Sequence, residues 1–152
     1  MSDDWKWRLA RDYRYETGLA VDCPAGAASL QFGDGKQTWL TIDADGAVTV
    51  SAGYAWDGCS PKFKVFNVVL GTPDGAPNPQ TGRPYTYFAS LVHDALYQFM
   101  DAPGFPWTRA QIDAVFLQIL RADGWCWAGL YYAAVRYAGG AYRWINQWRM
   151  FA

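Results

Sequence analysis

The spacing of apolar residues changes part-way along this chain, and this change restricts the possible folds more than any other feature. In residues 5–10 and 13–16, apolar and polar side chains alternate, which is typical of half-buried β-strands. From residue 87 onward, apolar side chains recur every three or four positions, which is typical of amphipathic helices. The order predicts an α+β fold, with a small N-terminal antiparallel β-sheet followed by two or three packed α-helices.

A turn signal predicts a hairpin within the sheet. Two β-prone runs, residues 37–42 and 47–50, flank the sequence Asp-Ala-Asp-Gly at positions 43–46. Asp-Gly pairs are typical of hairpin turns because glycine readily adopts a positive φ angle. We therefore expect these two runs to pair.

Cap signals give the helices their boundaries. The apolar pattern predicts a first helix over residues 87–100. Thr108 and Gln111 form a capping-box signature, which predicts a second helix from residue 109 to about residue 122. A third helix is expected over residues 128–148, with a break at the Gly-Gly pair in positions 139 and 140.

The composition favours one folded core. The chain has 152 residues, of which 51% are hydrophobic, and it contains nine Trp, ten Tyr and eight Phe. This much apolar surface offsets the entropy that a chain loses on folding, and it excludes a disordered protein. The length predicts a single domain over residues 1–152, mainly β in residues 1–60 and mainly α in residues 85–150.

Charge is unevenly distributed, although the net charge is only −1. A net charge this small argues against nucleic acid as the partner. Residues 1–60 carry an excess of acidic groups, whereas residues 125–152 carry three arginines and no acid. This gradient matches either a modest dipole or a surface for a partner or a lipid membrane. The candidate surface residues are Arg136, Arg143, Trp144 and Trp148.

The sequence shows no targeting signal. The first residues are acidic and polar, unlike a signal peptide. The longest uncharged C-terminal stretch, residues 124–135, is too short for a transmembrane helix. Three cysteines without a C-x-x-C pair do not form a disulfide framework. We expect a protein of the reducing cytoplasm.

The chain has one histidine, His93, which begins the motif His-Asp-Ala-Leu-Tyr. On a helix, His93 and Tyr97 lie on the same face, whereas Asp94 points about 100° away. The second predicted helix carries Arg109 and Asp113, also four residues apart, and a short turn places the two helices side by side. Asp113 is therefore expected to lie against the His93 ring.

These residues have the chemistry of a hydrolytic site. An imidazole held by a carboxylate through one nitrogen takes a proton from water with the other, so His93 and Asp113 are the candidate catalytic residues. A hard cation bound by carboxylates and carbonyls would polarise an ester or phosphoryl oxygen, and Asp94 and Asp57 are its candidate ligands. The candidate supporting residues are Tyr97, Arg109 and Ser60.

The same residues also have structural explanations. A histidine in a packed helix often serves only as a hydrogen-bonded packing residue, and Arg109 with Asp113 matches an ordinary surface ion pair. Cys59 is a further candidate nucleophile beside His93, whereas a zinc-dependent peptidoglycan enzyme would need more than one histidine. A turn at Asp57 and a cap at Ser60 account equally well for these two residues. Packing is favoured over chemistry for Tyr97 and Phe116.

Several motifs, taken in order, resemble a phage and prophage family known only as a domain of unknown function. They are WDGCSPK at 56–62, ASLVHDALY at 89–97, RxxxDxxF at 109–116 and YYAAVR at 131–136. The match spans roughly residues 45–140, although family members often have a residue between the Ser and Pro that are adjacent here. The resemblance implies a phage or prophage origin and a location in the host cytoplasm or the virion. It also implies other phage structural proteins as partners.

The helix pair is also similar to secreted phospholipase A2, especially its compact bacterial and fungal members. The similarity covers H-D-x-x-Y on one helix and D-x-x-F on the next. It implies that His93 is the general base, Asp94 a Ca²⁺ ligand and Asp113 the carboxylate that orients the histidine. The loop around Asp57 would complete the calcium site. The chain departs from that family by its N-terminal β region and by lacking both a disulfide framework and the glycine-rich calcium loop.

Two functions are consistent with the sequence. The first is a Ca²⁺-assisted hydrolase of phospholipase A2-like type that acts on a lipid ester. The second is a non-catalytic phage virion component or accessory protein that binds a protein partner through its aromatic and arginine-rich C-terminal surface. A His93 without a carboxylate neighbour would favour the second.

Overall fold

The fold is α+β, as the change of period predicted. The structure is a computed structural model, and it describes residue 5 and residues 7–56 and 77–136. Antiparallel strands come first and helices follow. Several predictions lie outside the described residues: the roles of Asp57, Cys59 and Ser60, the helix break at 139–140, and the surface formed by Arg143, Trp144 and Trp148.

Six short strands form two sheets within the described residues. They are β1 (Trp7–Arg8), β2 (Tyr13–Glu16), β3 (Ser29–Gly33), β4 (Thr38–Asp43), β5 (Ala47–Val50) and β6 (Ala55–Trp56). Strands β2, β5, β4 and β3 form a four-stranded antiparallel sheet in that order, and β1 pairs with β6.

The predicted hairpin is the centre of the larger sheet. β4 and β5 are antiparallel, and Leu40 pairs with Val50 while Ile42 pairs with Val48. These four side chains are fully buried on one face. Gly46 closes the turn with a φ of 87°, and a Cβ atom there would lie 2.4 Å from the Leu19 carbonyl oxygen. Both the backbone angle and the space therefore require glycine at this position.

The alternation over residues 5–10 includes the first strand. Among the described residues, β1 consists of Trp7 and Arg8, which pair with Trp56 and Ala55 of β6. Beyond them the pairing continues as separate hydrogen bonds, from the Leu9 N–H to the Tyr54 carbonyl and from the Gly53 N–H to the Leu9 carbonyl. The alternating pattern thus records which side chains face the core, and Leu9 is indeed buried.

The helices begin and end close to the predicted residues. α1 spans Tyr87–Phe99 and α2 spans Arg109–Ala122, while α3 begins at residue 128 and is helical through residue 136, where the described residues end. The Thr108–Gln111 capping box is present in both directions. It satisfies two backbone N–H groups that the first turn of α2 would otherwise leave unpaired.

α1 packs against β4 and β5 of the larger sheet and against α2. Its Ser90 hydroxyl accepts a 3.2 Å hydrogen bond from the indole of Trp56, which is in β6. His93 is buried, and it lies at the boundary between α1 and α2 rather than at the protein surface. Within the described part of the chain, no helix is long and apolar enough to cross a bilayer.

Candidate functional site

His93 lies in the interface between α1 and α2. Its side chain is 10% exposed. The ring contacts the Tyr97 ring at a centroid distance of 4.2 Å and the Phe116 ring, on α2, at 4.9 Å. Tyr97 is one helical turn further along α1, so the i, i+4 spacing stacks the two rings on one face. Aromatic packing therefore restricts the orientation of the imidazole.

Asp113 on α2 is the centre of the cluster and has no exposed surface. Its Oδ1 atom lies 2.9 Å from Nε2 of His93 and 2.8 Å from the Tyr97 hydroxyl. Its Oδ2 atom lies 2.9 Å from a guanidinium nitrogen of Arg136 and 3.8 Å from Nε of Arg109. One buried carboxylate thus joins α1, α2 and α3.

The contacts of Asp113 determine its protonation state. Burial raises the pKa of the carboxyl, but hydrogen bonds from His93, Tyr97 and Arg136, with the charge of His93, outweigh burial and lower the pKa below its ordinary value. Asp113 is therefore a carboxylate at neutral pH and accepts hydrogen bonds from His93, Tyr97 and Arg136. A neutral imidazole at His93 then has its proton on Nε2 and its lone pair on Nδ1.

Nδ1 of His93 is the ring nitrogen that is able to accept a proton from water. Among the described residues, none forms a hydrogen bond with Nδ1. The imidazole is therefore held through one nitrogen and has a lone pair on the other, which is the arrangement a general base for water requires. The sequence spacing predicted this contact between His93 and Asp113, and the structure brings the two together.

Tyr97 takes part in the cluster through its hydroxyl as well as its ring. Burial raises the pKa of Tyr97, and the hydrogen bond to Asp113 raises it further, so the phenol remains a protonated donor. The sequence favours packing as the role of Tyr97. The hydroxyl also serves as a second donor that holds the Asp113 carboxylate in place.

Replacing Tyr97 with phenylalanine is expected to lower the free energy of unfolding by about 1–3 kcal/mol, because a hydrogen bond to a charged group is lost in a part-buried site. Urea denaturation measures the change. Tyr85→Phe is the matched control, since within the described residues the Tyr85 hydroxyl has no hydrogen bond and its ring stacks on Trp125. Equal changes in the two variants would contradict the role given to the Tyr97 hydroxyl.

Arg109 and Arg136 both lie against the carboxylate. Arg109 also donates from Nη2 to the main-chain carbonyl of Arg136, which connects the start of α2 to α3. Because Asp113 is fully buried, its contact with Arg109 is not the surface ion pair considered from the sequence. The sequence reasoning placed Arg136 on a partner surface and missed its contact with Asp113.

The predicted metal ligands are only partly within the described residues. Asp94 follows His93 on α1 and is half-buried, and its proposed co-ligand Asp57 lies outside the described range. Among the residues that the structure describes, no group of three or more His, Cys, Asp or Glu side chains is arranged to hold a metal ion.

Comparison with known proteins gives no relative that assigns this site: no protein-family model, curated protein or solved structure matches the chain.

Proposed function

We propose that this chain is a hydrolase in which His93 activates water for attack on a carboxylic ester. One observation carries the proposal: Nε2 of His93 lies 2.9 Å from a fully buried Asp113 carboxylate. That contact directs the Nδ1 lone pair away from the carboxylate, which leaves it able to accept a proton from water.

The reaction uses the residues as follows. Nδ1 of His93 takes a proton from water as the water oxygen bonds to the ester carbonyl carbon. Asp113 stabilises the imidazolium and keeps its ring in place. When the tetrahedral intermediate collapses, the bond to the leaving alkoxide breaks and His93 returns the proton to that oxygen. The products are a carboxylic acid and an alcohol, and His93 is neutral again.

The substrate class follows from the resemblance to phospholipase A2, which makes a phospholipid ester the first substrate to test. In this proposal Asp94 and the loop of Asp57 would hold Ca²⁺, which would stabilise negative charge on the ester oxygen. Asp113 has no metal-binding role in this proposal, since its carboxylate contacts among the described residues are to His93, Tyr97 and the two arginines.

The assay uses the purified full chain with short-chain phosphatidylcholine and with p-nitrophenyl butyrate, each in excess Ca²⁺ or excess EGTA. We expect fatty-acid release in Ca²⁺ that EGTA abolishes and added Ca²⁺ restores, with release proportional to the concentration of the chain. Activity that persists in EGTA would contradict the assignment of Asp94 as a calcium ligand but leave His93 as the base. No hydrolysis of either substrate would contradict the proposed hydrolase.

A second candidate is a non-catalytic phage protein that binds a protein partner, in the host cytoplasm or in the virion. The observation in its favour is the exposure of large aromatic side chains, since Trp5 is 53% and Trp127 is 44% exposed. Exposed tryptophans are common anchors in protein interfaces. This candidate does not require the contact between His93 and Asp113, whereas the hydrolase depends on it.

A further inference from the structure

The Asp113 cluster contains more positive than negative charge. Two guanidinium groups, those of Arg109 and Arg136, approach the same carboxylate oxygen, at 3.8 Å and 2.9 Å. Within the described residues, no other carboxylate forms an ion pair with either arginine. Two guanidinium groups against a single carboxylate leave the cluster with an excess of positive charge.

Both arginines also retain hydrogen-bond donors. A guanidinium has five N–H groups. Arg136 donates to Asp113 and its side chain is 36% exposed, while Arg109 donates to the Arg136 carbonyl and its side chain is 28% exposed. The buried Nε of Arg109 has no hydrogen-bond partner. Partly exposed N–H groups of both arginines are thus available beside Asp113.

The position of Arg109 strengthens the positive field. It is the first residue of α2, and the first turn of this helix contains no acidic residue. The helix dipole places partial positive charge at this end, so a cation here is unfavourable unless an anion approaches it. Its carboxylate partner, Asp113, is shared with Arg136.

We propose that Arg109 and Arg136 form an anion-binding site that takes a phosphate group beside His93. Guanidinium groups match the oxygens of phosphate in a bidentate manner, and the negative charge of phosphate offsets the excess charge of the pair. The group belongs either to a lipid headgroup or to free phosphate. If the phosphate belongs to a lipid headgroup, its role as part of a substrate rests on the proposed hydrolase. The anion site itself is independent of catalysis.

The single histidine provides a direct test, because its imidazole signals in a ¹H–¹⁵N NMR spectrum need no further assignment. Inorganic phosphate, added at constant pH and ionic strength, is expected to shift the His93 signals in a saturable manner. Arg109→Gln is expected to weaken this binding at least tenfold. Arg121→Gln is the matched control, since Arg121 is on the same helix, is exposed and has no ion pair among the described residues, and it is expected to bind as the wild type does.

A second titration, with monomeric short-chain phosphatidylglycerol, distinguishes the two sources of the phosphate. Tighter binding of the lipid than of phosphate, with the same dependence on Arg109, identifies a headgroup; binding of phosphate alone identifies a free anion. Absence of a saturable shift with both ligands, or binding that Arg109→Gln leaves intact, would overturn the anion site. Saturable, Arg109-dependent binding by a chain that hydrolyses no ester would leave the anion site standing and refute only the hydrolase.

Discussion

Replacing Asp113 with alanine is expected to lower the free energy of unfolding by about 3–5 kcal/mol, because it removes one partner from a buried ionic network. The side chain has no exposed surface and accepts from His93, Tyr97 and Arg136. Without it, two guanidinium groups face each other with no carboxylate between them, and the three helices lose their common contact. Urea denaturation at pH 7 measures the change.

Asp22→Ala is the control for this variant. Asp22 is exposed and has no ion pair among the described residues, so its replacement is expected to change the free energy of unfolding by less than about 0.5 kcal/mol. A loss in Asp113→Ala no larger than this would show that the buried network contributes little net stability.

The same carboxylate gives a pH dependence of known sign. The pKa of Asp113 in the folded protein lies below the ordinary value of 3.8, so its ionised form favours folding. The contribution is complete above about pH 4 and is lost as the pH falls through the folded value. Asp113→Ala is therefore expected to have a shallower loss of stability than the wild type in that acid range.

Local signals accounted for most of the fold because they act within a few residues. The Thr108–Gln111 capping box predicted the start of α2, and the Asp-Gly pair at 45–46 predicted the β4–β5 hairpin. The contact between His93 and Asp113 was also accessible, since a short connection makes α1 and α2 neighbours and helical spacing gives the facing positions. Each of these inferences needs only periodicity and a turn.

The position of Arg136 could not be predicted from such local signals. Its contact with Asp113 depends on how α3 packs against α1 and α2, and that packing is decided by buried side chains such as Tyr131 and Val135. From the sequence, Arg136 belonged with the C-terminal arginines, where a positive charge without nearby acids indicates a surface. The missed signal was the expected burial of Asp113 in the helix interface, because a buried carboxylate needs cations beside it.

Arg136 also determines how the substitution Asp113→Asn would affect His93. Arg136 has donors but no acceptor, so the amide oxygen of an asparagine must face Arg136. Its NH₂ group then faces Nε2 of His93, which becomes the acceptor. The imidazole proton moves to Nδ1, and the nitrogen proposed to take a proton from water no longer has a free lone pair.

Asp113→Asn is therefore expected to lower kcat by about 10²–10⁴-fold, the range of general-base contributions, and His93→Gln by at least as much. KM is expected to change little in Asp113→Asn, because a fully buried side chain does not touch the substrate. Steady-state hydrolysis of p-nitrophenyl butyrate measures both constants, with Asp22→Asn as the control of equal charge change. Circular dichroism verifies that each variant is folded. A folded Asp113→Asn with wild-type kcat would show that Asp113 joins the helices without orienting a base, and a folded His93→Gln with wild-type kcat would remove His93 from the reaction.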